Sequence, residues 1–397
     1  MPVWHEGTRA WRESGELAVV GLVQEQHPDR ARLFAQWYGI DWPILWDPFN
    51  VTGATAVPLY RTIDEHGVVR SLKPRLEGLA EDFLGVDFEA PAEPGPAAGS
   101  ARALVQVDRH RAGTAEWAYW QALSDLIWAG PQASSSALKT LASFARMAPR
   151  DGAAQFRLGV ALRMRHDSPH RGRGDFQAAL DQWNRALELE PNQYIWRRRI
   201  QQYGPRLDKP YPFYDWVGEA RAAIEGRGEE PVALAAELTG AERAARSRSF
   251  ESEGAAAAEP DPEGRVARAP EGHFALESAV AFDTSRKSPT ARVHLLLRPA
   301  EGSDAYWNNE SDPLQVWIGG AELPAGWAAD RRLVLHGGAP GAATSREERR
   351  IEFELRLPEG TRGRQRLPGY ALFNACQGED GVCRYLRQDF EVSFSVP

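Results

Sequence analysis

The sequence predicts a multidomain chain, with an α/β segment over 1–88, an α-helical repeat middle over 115–225 and an all-β sandwich over 271–397. Three observations carry this reading. A short continuous apolar run, Leu17 to Val23, opens a region in which strand-like and helix-like stretches alternate. Two segments in the middle, Ala137 to Pro149 and Ala179 to Pro191, end alike. Beyond 271, apolar residues recur at every second position, the period of a strand with one buried face. Two stretches separate the parts: a linker over 89–114 containing the Ala-, Pro- and Gly-rich Ala90 to Gly99, and a helical, low-complexity linker over 226–270 containing Ala255 to Pro260.

Composition narrows the function classes. Acidic residues outnumber basic ones 55 to 47, a net charge of −8, whereas a dedicated nucleic-acid binder carries a basic excess. No run approaches the ~20 apolar residues that span a bilayer, and Met1 to Glu16 lack the apolar core of a secretion signal. No nucleic-acid partner, membrane span or cofactor is therefore expected. Two cysteines are too few for a disulfide framework or a thiolate zinc site. His294 and His336 have no metal-ligand spacing with other residues. A Gly-x-Ser-x-Gly elbow is also missing, which leaves no hydrolase signature. The 14 tryptophans are scattered through all three parts and read as core and groove lining.

In the first part, the order is helix, strand, helix, strand, strand, strand, helix. Leu17 to Val23 reads as a strand buried on both faces. A helix follows from Pro28-Asp29 to Gly39, and Trp42 to Asp47 form a second strand. Pro58 to Asp64 and Val68 to Leu72 flank Glu65-His66-Gly67, a hairpin signal.

These residues resemble the redoxin branch of the thioredoxin superfamily: the Val19-Val20-Gly21-Leu22 strand, the Pro43 to Asp47 strand end, the Val57-Pro58 step and the Ile63 to Val69 hairpin. The resemblance implies a cis bond before Pro58 and substrate binding by the Val57 backbone. It also implies thiol–disulfide exchange, or peroxide and thiol handling, at a Cys-x-x-Cys pair opening the first helix. This chain has no such pair. Pro2 resembles the proline that follows the pair, so the chain reads as starting just inside that helix, either because an upstream piece is missing or because the domain is an inactive remnant.

In the middle part, Leu158-Gly159 and Leu162, then Ala179, Trp183, Ala186 and Pro191, are similar to the two helices of a tetratricopeptide repeat, with an overlong loop from Arg165 to Gly174. Stacked repeats imply a concave surface for a protein or peptide partner, or else a spacer between neighbours. Arg197-Arg198-Arg199 reads as a solvated helix face.

In the last part, one strand face each is expected from Val293, Leu295 and Leu297, from Leu314, Val316 and Ile318, from Ile351, Phe353, Leu355 and Leu357, and from Phe390, Val392, Phe394 and Val396. Leu367 to Cys376 and Gly381 to Arg387 read as a hairpin around Gly378-Glu379-Asp380, with Cys376 and Cys383 facing each other across the ladder. This resembles the amino-terminal immunoglobulin-like domain of bacterial thiol:disulfide interchange proteins, which presents a hairpin cysteine pair to redoxin partners. Cys376 and Cys383 are accordingly either an exchanging redox pair or a static staple. A turn of amides and a carboxylate beside two rings, Tyr306-Trp307-Asn308-Asn309-Glu310, is a candidate polar site.

Two functions follow. One is a redox-associated, extracytoplasmic (periplasmic) bacterial protein working in cell redox homeostasis. The other is a non-catalytic interaction scaffold with a structural disulfide.

Overall fold

Glycines and prolines punctuate the first region. The computed structural model describes residues 2–91, 107, 110–130, 135–204, 216–234, 250–253, 257–283, 289–335, 342–378 and 381–396. The chain divides into two compact units, Met1–Arg199 with Asp215–Ala236, and Ile200–Tyr214 with Glu237–Pro397. Most of the 89–114 linker, His336, Glu379 and Asp380 lie outside the described residues.

In the first unit, the opening helix divides at Thr8 into α1 (Pro2–Gly7) and α2 (Arg9–Ser14), and Gly15 ends α2 at a left-handed φ of 82°. Strand β1 (Gly21–Val23) pairs in parallel with β2 (Ile44–Trp46) through the crossover helix α3 (Asp29–Tyr38). A hairpin follows, β3 (Thr62–Ile63) with β4 (Val69–Ser71), turning at Gly67 with φ 78°. Asp64 organises this turn: its carboxylate accepts the N–H groups of His66 and Val68 at 2.9 and 2.8 Å and the Arg70 Nε–H at 2.6 Å. The Val57–Pro58 peptide is cis.

The expectation of a strand buried on both faces is corrected here. Val20 and Leu22 are exposed, as is Leu45, the lateral partner of Leu22, and the facing pair Ile63 and Val69 is exposed too. Among the described residues, each of these sheets has only two strands, and that is too few to bring a second cover over both faces.

The helical part runs α4 (Ala115–Ala129), α5 (Ser135–Met147), α6 (Gly152–His166), α7 (Asp175–Leu189), α8 (Tyr194–Gln201) and α9 (Trp216–Gly226). Side chains cap two starts: Thr114 Oγ1 accepts from Trp117 N at 3.2 Å, and Asp151 Oδ1 accepts from Ala154 N at 2.9 Å. Helices α6 and α7 pack antiparallel, since Phe156 meets Trp183, Gly159 meets Ala179 and His166 meets Phe176. The fully buried Trp183 indole donates to the Phe156 carbonyl at 3.2 Å. The long loop between them is tied down by Asp175, which accepts from Arg165 Nε at 2.8 Å and from Gly172 N at 2.7 Å.

The reading of Arg197 to Arg199 as a solvated face is overturned for Arg199, which is 1% exposed. Its guanidinium donates to Gln26 Oε1 at 2.6 Å and to the carbonyls of Gln24 and Pro48 at 2.6 and 3.0 Å, binding α8 to the loops that follow β1 and β2. A helix in contact with a neighbouring segment turns one of three successive arginines inward, and Arg's fork of donors meets several carbonyls at once. A further cluster joins α3 to α9 through Leu33, Val217, Ala220 and Ile224, with Trp37 and Trp216 stacked at 6.1 Å.

In the second unit, two antiparallel sheets share one core. One has the order β12 (Arg349–Arg356), β7 (Thr290–Pro299), β6 (Phe274–Asp283). The other runs β11 (Thr344–Ser345), β8 (Ala305–Asn308), β13 (Gly363–Gln377), β9 (Leu314–Ile318), β10 (Arg332–Leu335), β5 (Phe250–Glu253), with β14 (Val382–Val396) along the remaining side of β13. All four alternating sets named from the sequence point into this core. Phe274, Trp307 and Phe373 meet at its centre with ring centroids 4.6–5.3 Å apart.

The sheets recruit residues from the expected 226–270 linker, because β5 pairs with β10 and the segment 267–269 pairs with β14. Gly369 is required by crowding: a Cβ there would stand 2.5 Å from the Phe390 ring and 2.6 Å from the Trp317 carbonyl. On β7, His294 lies between Glu352 Oε1 at 3.3 Å and the Tyr203 carbonyl at 2.7 Å, and Arg292 sits 3.1 Å from Glu354. Burial acts against the Glu352 carboxylate, but His294, Arg292 and Arg350 hold its pKa below the usual value.

A Cβ at Gly159 would stand 2.5 Å from Trp183 Nε1 and 3.0 Å from the Ala179 carbonyl. Gly159→Ala is expected to destabilise the helical unit by about 1–3 kcal/mol, the usual cost of overpacking. Urea unfolding followed by far-ultraviolet circular dichroism measures it. An unchanged midpoint would mean that the two helices separate at no cost.

Candidate functional site

The β13–β14 hairpin is built on alternation. Phe373, Ala375 and Leu386 point to the core, so their strand neighbours point away from it. The register sets Cys376 directly opposite Cys383, and the two form a disulfide with Cα atoms 3.9 Å apart. Backbone direction follows from Arg387, whose N–H donates to the Ala267 carbonyl and whose carbonyl accepts from Ala269, both on the side away from β13. Stepping back by two places the N–H and C=O of Tyr385 and Cys383 on the same outer edge. Cys376 and Cys383 therefore form a non-hydrogen-bonded pair, the class in which facing side chains lie closest.

The two sulfurs have different surroundings. On its other side Cys376 faces Tyr306 of β8, whose hydroxyl donates to the Gly378 carbonyl at 3.3 Å. Hemmed between Tyr306 and Cys383, Cys376 is 2% exposed, while Cys383 on the outer strand is exposed. Cys383 Sγ lies 3.2 Å from the Gly381 carbonyl. This is a contact in the disulfide, which has no thiol proton, and a ready acceptor once the thiol forms.

The candidate polar turn is split by the pleat. Tyr306 comes to the disulfide, but Trp307 faces the core, fully buried, and its Nε1 donates to the Glu347 carbonyl at 2.8 Å. Asn308 accepts from the Glu310 backbone N–H at 3.0 Å, and Asn309 donates to the Ala342 carbonyl and Ser345 Oγ at 2.9 and 3.0 Å. These amides hold the β8 turn to its neighbours, because period-two alternation forbids five successive residues from sharing a face. Val57 and Pro58 belong to the other unit, where Val57 is exposed and no cysteine stands. Among the described residues, no group of three or more His, Cys, Asp or Glu could hold a metal ion, and no helix is long and apolar enough to cross a membrane.

At the hairpin tip, against the face of Val382, Arg384 and Leu386, lies a cleft of about 370 Å³ that Cys376 also lines. Phe274 and Leu386 give it an apolar lining, and Arg268, His273, Asp304 and Arg384 bring polar groups to it. Gln377 Nε2 and His273 Nε2 lie 3.2 Å apart beside it.

Sequence reasoning missed the residues that clamp the hairpin. The buried Asp261 accepts from Arg387 Nη1 at 2.8 Å, and the same guanidinium lies 3.7 Å over the Tyr370 ring. Tyr370 donates to Glu259 at 3.2 Å and accepts from Asp261 N at 3.1 Å. Burial pushes the Tyr370 hydroxyl pKa up, against the pull of the Asp261 N–H. For Asp261, burial acts upward, but the Arg387 hydrogen bond and the N–H groups of Val266 and Arg265 prevail and hold the carboxyl below its ordinary value. The available signal was Asp261-Pro262-Glu263-Gly264, a turn sequence whose Asp accepts from Arg265 N at 2.8 Å. The alanine-rich stretch before it gave the whole segment a linker's appearance. No protein-family model and no curated protein matches the chain.

A folded-state pKa below the unfolded value contributes stability that is complete above the unfolded pKa, about 3.9 for Asp, and is lost as pH falls through the folded one. The resistance of the sheet unit to urea is expected to fall as pH drops below about 4, and less steeply in Asp261→Asn. Parallel acid profiles for the two proteins would remove Asp261 from the clamp.

Proposed function

We propose that this chain performs thiol–disulfide exchange at Cys376–Cys383, with the exposed Cys383 as the sulfur attacked and the buried Cys376 as the leaving group. The single observation that carries the reading is this asymmetry between two bonded sulfurs, because exchange requires an attacking thiolate to reach one of them. The substrate thiolate bonds to Cys383 Sγ, the S–S bond breaks, and Cys376 leaves as a thiolate that takes a proton from water. A second thiol of the substrate then attacks the mixed disulfide and releases Cys383. The substrate dithiol ends as a disulfide and the hairpin as a dithiol, and the reverse sequence restores the hairpin.

The likeness to the immunoglobulin-like domain of thiol:disulfide interchange proteins supports this reading, and makes a redoxin-type dithiol the natural partner. In the first unit, the parallel β1–β2 pair, the cis Val57–Pro58 bond and the β3–β4 hairpin agree with a thioredoxin-like segment. The close approach of Gly159 to Ala179 agrees with a tetratricopeptide-like helix pair that presents a partner surface. A disulfide fits an oxidising, extracytoplasmic compartment.

Equilibration in glutathione buffers, thiol trapping and mass spectrometry test the proposal. An exchanging pair is expected to titrate above about −300 mV and to carry the first mixed disulfide on Cys383. A pair that stays oxidised throughout would identify a staple, worth about 2 kcal/mol for so short a loop, and would favour the scaffold function.

A further inference from the structure

We infer that the outer edge of β14 at Cys383 and Tyr385 docks an extended, cysteine-bearing polypeptide as an added strand, with a large apolar side chain beside that cysteine entering the cleft lined by Phe274 and Leu386. This rests on the exchange reading above and names its substrate class. At Arg387 the same edge is already used: the segment 267–269 pairs there through the N–H and C=O of Arg387. Two and four residues earlier, Tyr385 and Cys383 turn the same backbone groups to the same side, and among the described residues no hydrogen bond occupies them. The next register of an existing strand-like contact is thus open, and it lies beside the exposed sulfur.

Alternation supplies the second argument. A strand added here whose cysteine points to the sulfur face turns the residues before and after that cysteine to the opposite face. That is the face of Val382, Arg384 and Leu386, which line the cleft. Backbone pairing gives affinity without sequence preference, and the cleft selects the neighbour of the cysteine. A small thiol uses neither.

The test compares, on the oxidised full chain, glutathione with a synthetic peptide of about seven residues carrying one central cysteine next to leucine. The peptide is expected to form the Cys383 mixed disulfide about ten-fold faster, the gain from one or two backbone hydrogen bonds. N-methylation at the peptide positions facing β14 is expected to abolish the gain, and at the alternate positions to leave it intact. With serine in place of the peptide's cysteine, binding should slow amide exchange at Cys383 and Tyr385 while leaving Arg384 and Leu386, already bonded to β13, unchanged. Equal rates for glutathione and every peptide, or no protection at Cys383 and Tyr385, would overturn the docking and leave exchange standing. Protection without any mixed disulfide would keep the docking and overturn the exchange reading.

Discussion

The antiparallel register of β13 with β14, running from Gly363↔Val396 to Gln377↔Val382, is the constraint on which the second unit depends. A slip of β14 by one residue along β13 would turn Leu386, Val392 and Phe394 out of the core and carry Cys383 to the opposite face from Cys376. The register is pinned at one end by the Cys376–Cys383 bond and midway by Gly369, where the backbone admits the Phe390 ring and nothing larger than hydrogen fits. The same register decides which side of β14 each peptide group faces. Placement of the sulfurs, the cleft and the open edge is therefore one consequence of pairing and not three separate features.

A strand this long at a sheet margin is exposed to unwanted pairing, and proteins cover or charge such margins. Here the segment 257–269 does part of the covering. Its contact is electrostatic as much as apolar: Asp261 and Asp389 flank Arg387, and the guanidinium rests on Tyr370. Its backbone pairing stops at Arg387, so the edge at the strand end that carries Cys383 stays open among the described residues. A single arginine plays a comparable part in the first unit, where Arg199 draws α8 onto the carbonyls of Gln24 and Pro48.

Where the sequence pattern was periodic, it was legible. The four alternating sets of the last part and the close-packed Gly159 between α6 and α7 follow from side chains whose spacing matches one face of a strand or helix. Patterns without a period were not. Leu17 to Val23 is apolar throughout, which is what two-sided burial requires, yet Val20 and Leu22 are exposed because burial depends on how many strands flank β1. The polar cluster Tyr306 to Glu310 looked like one site because its residues adjoin in the chain, but the pleat sends alternate residues to opposite faces.

The sequence by itself determined the mixed α/β, multipart organisation, the hairpin and the opposition of its two cysteines, since each rests on local periodicity and turn chemistry acting over a few residues. Only the tertiary structure decided which sulfur is buried, that Asp261 and Tyr370 clamp Arg387, that Arg199 is interior, and where the edge of β14 is left open. These depend on partners some 70 to 175 residues distant along the chain, as in Tyr306 to Cys376, Asp261 to Tyr370 and Gln24 to Arg199. No local pattern encodes such meetings, because a side chain's burial and bonding are set by whatever the folded backbone brings beside it.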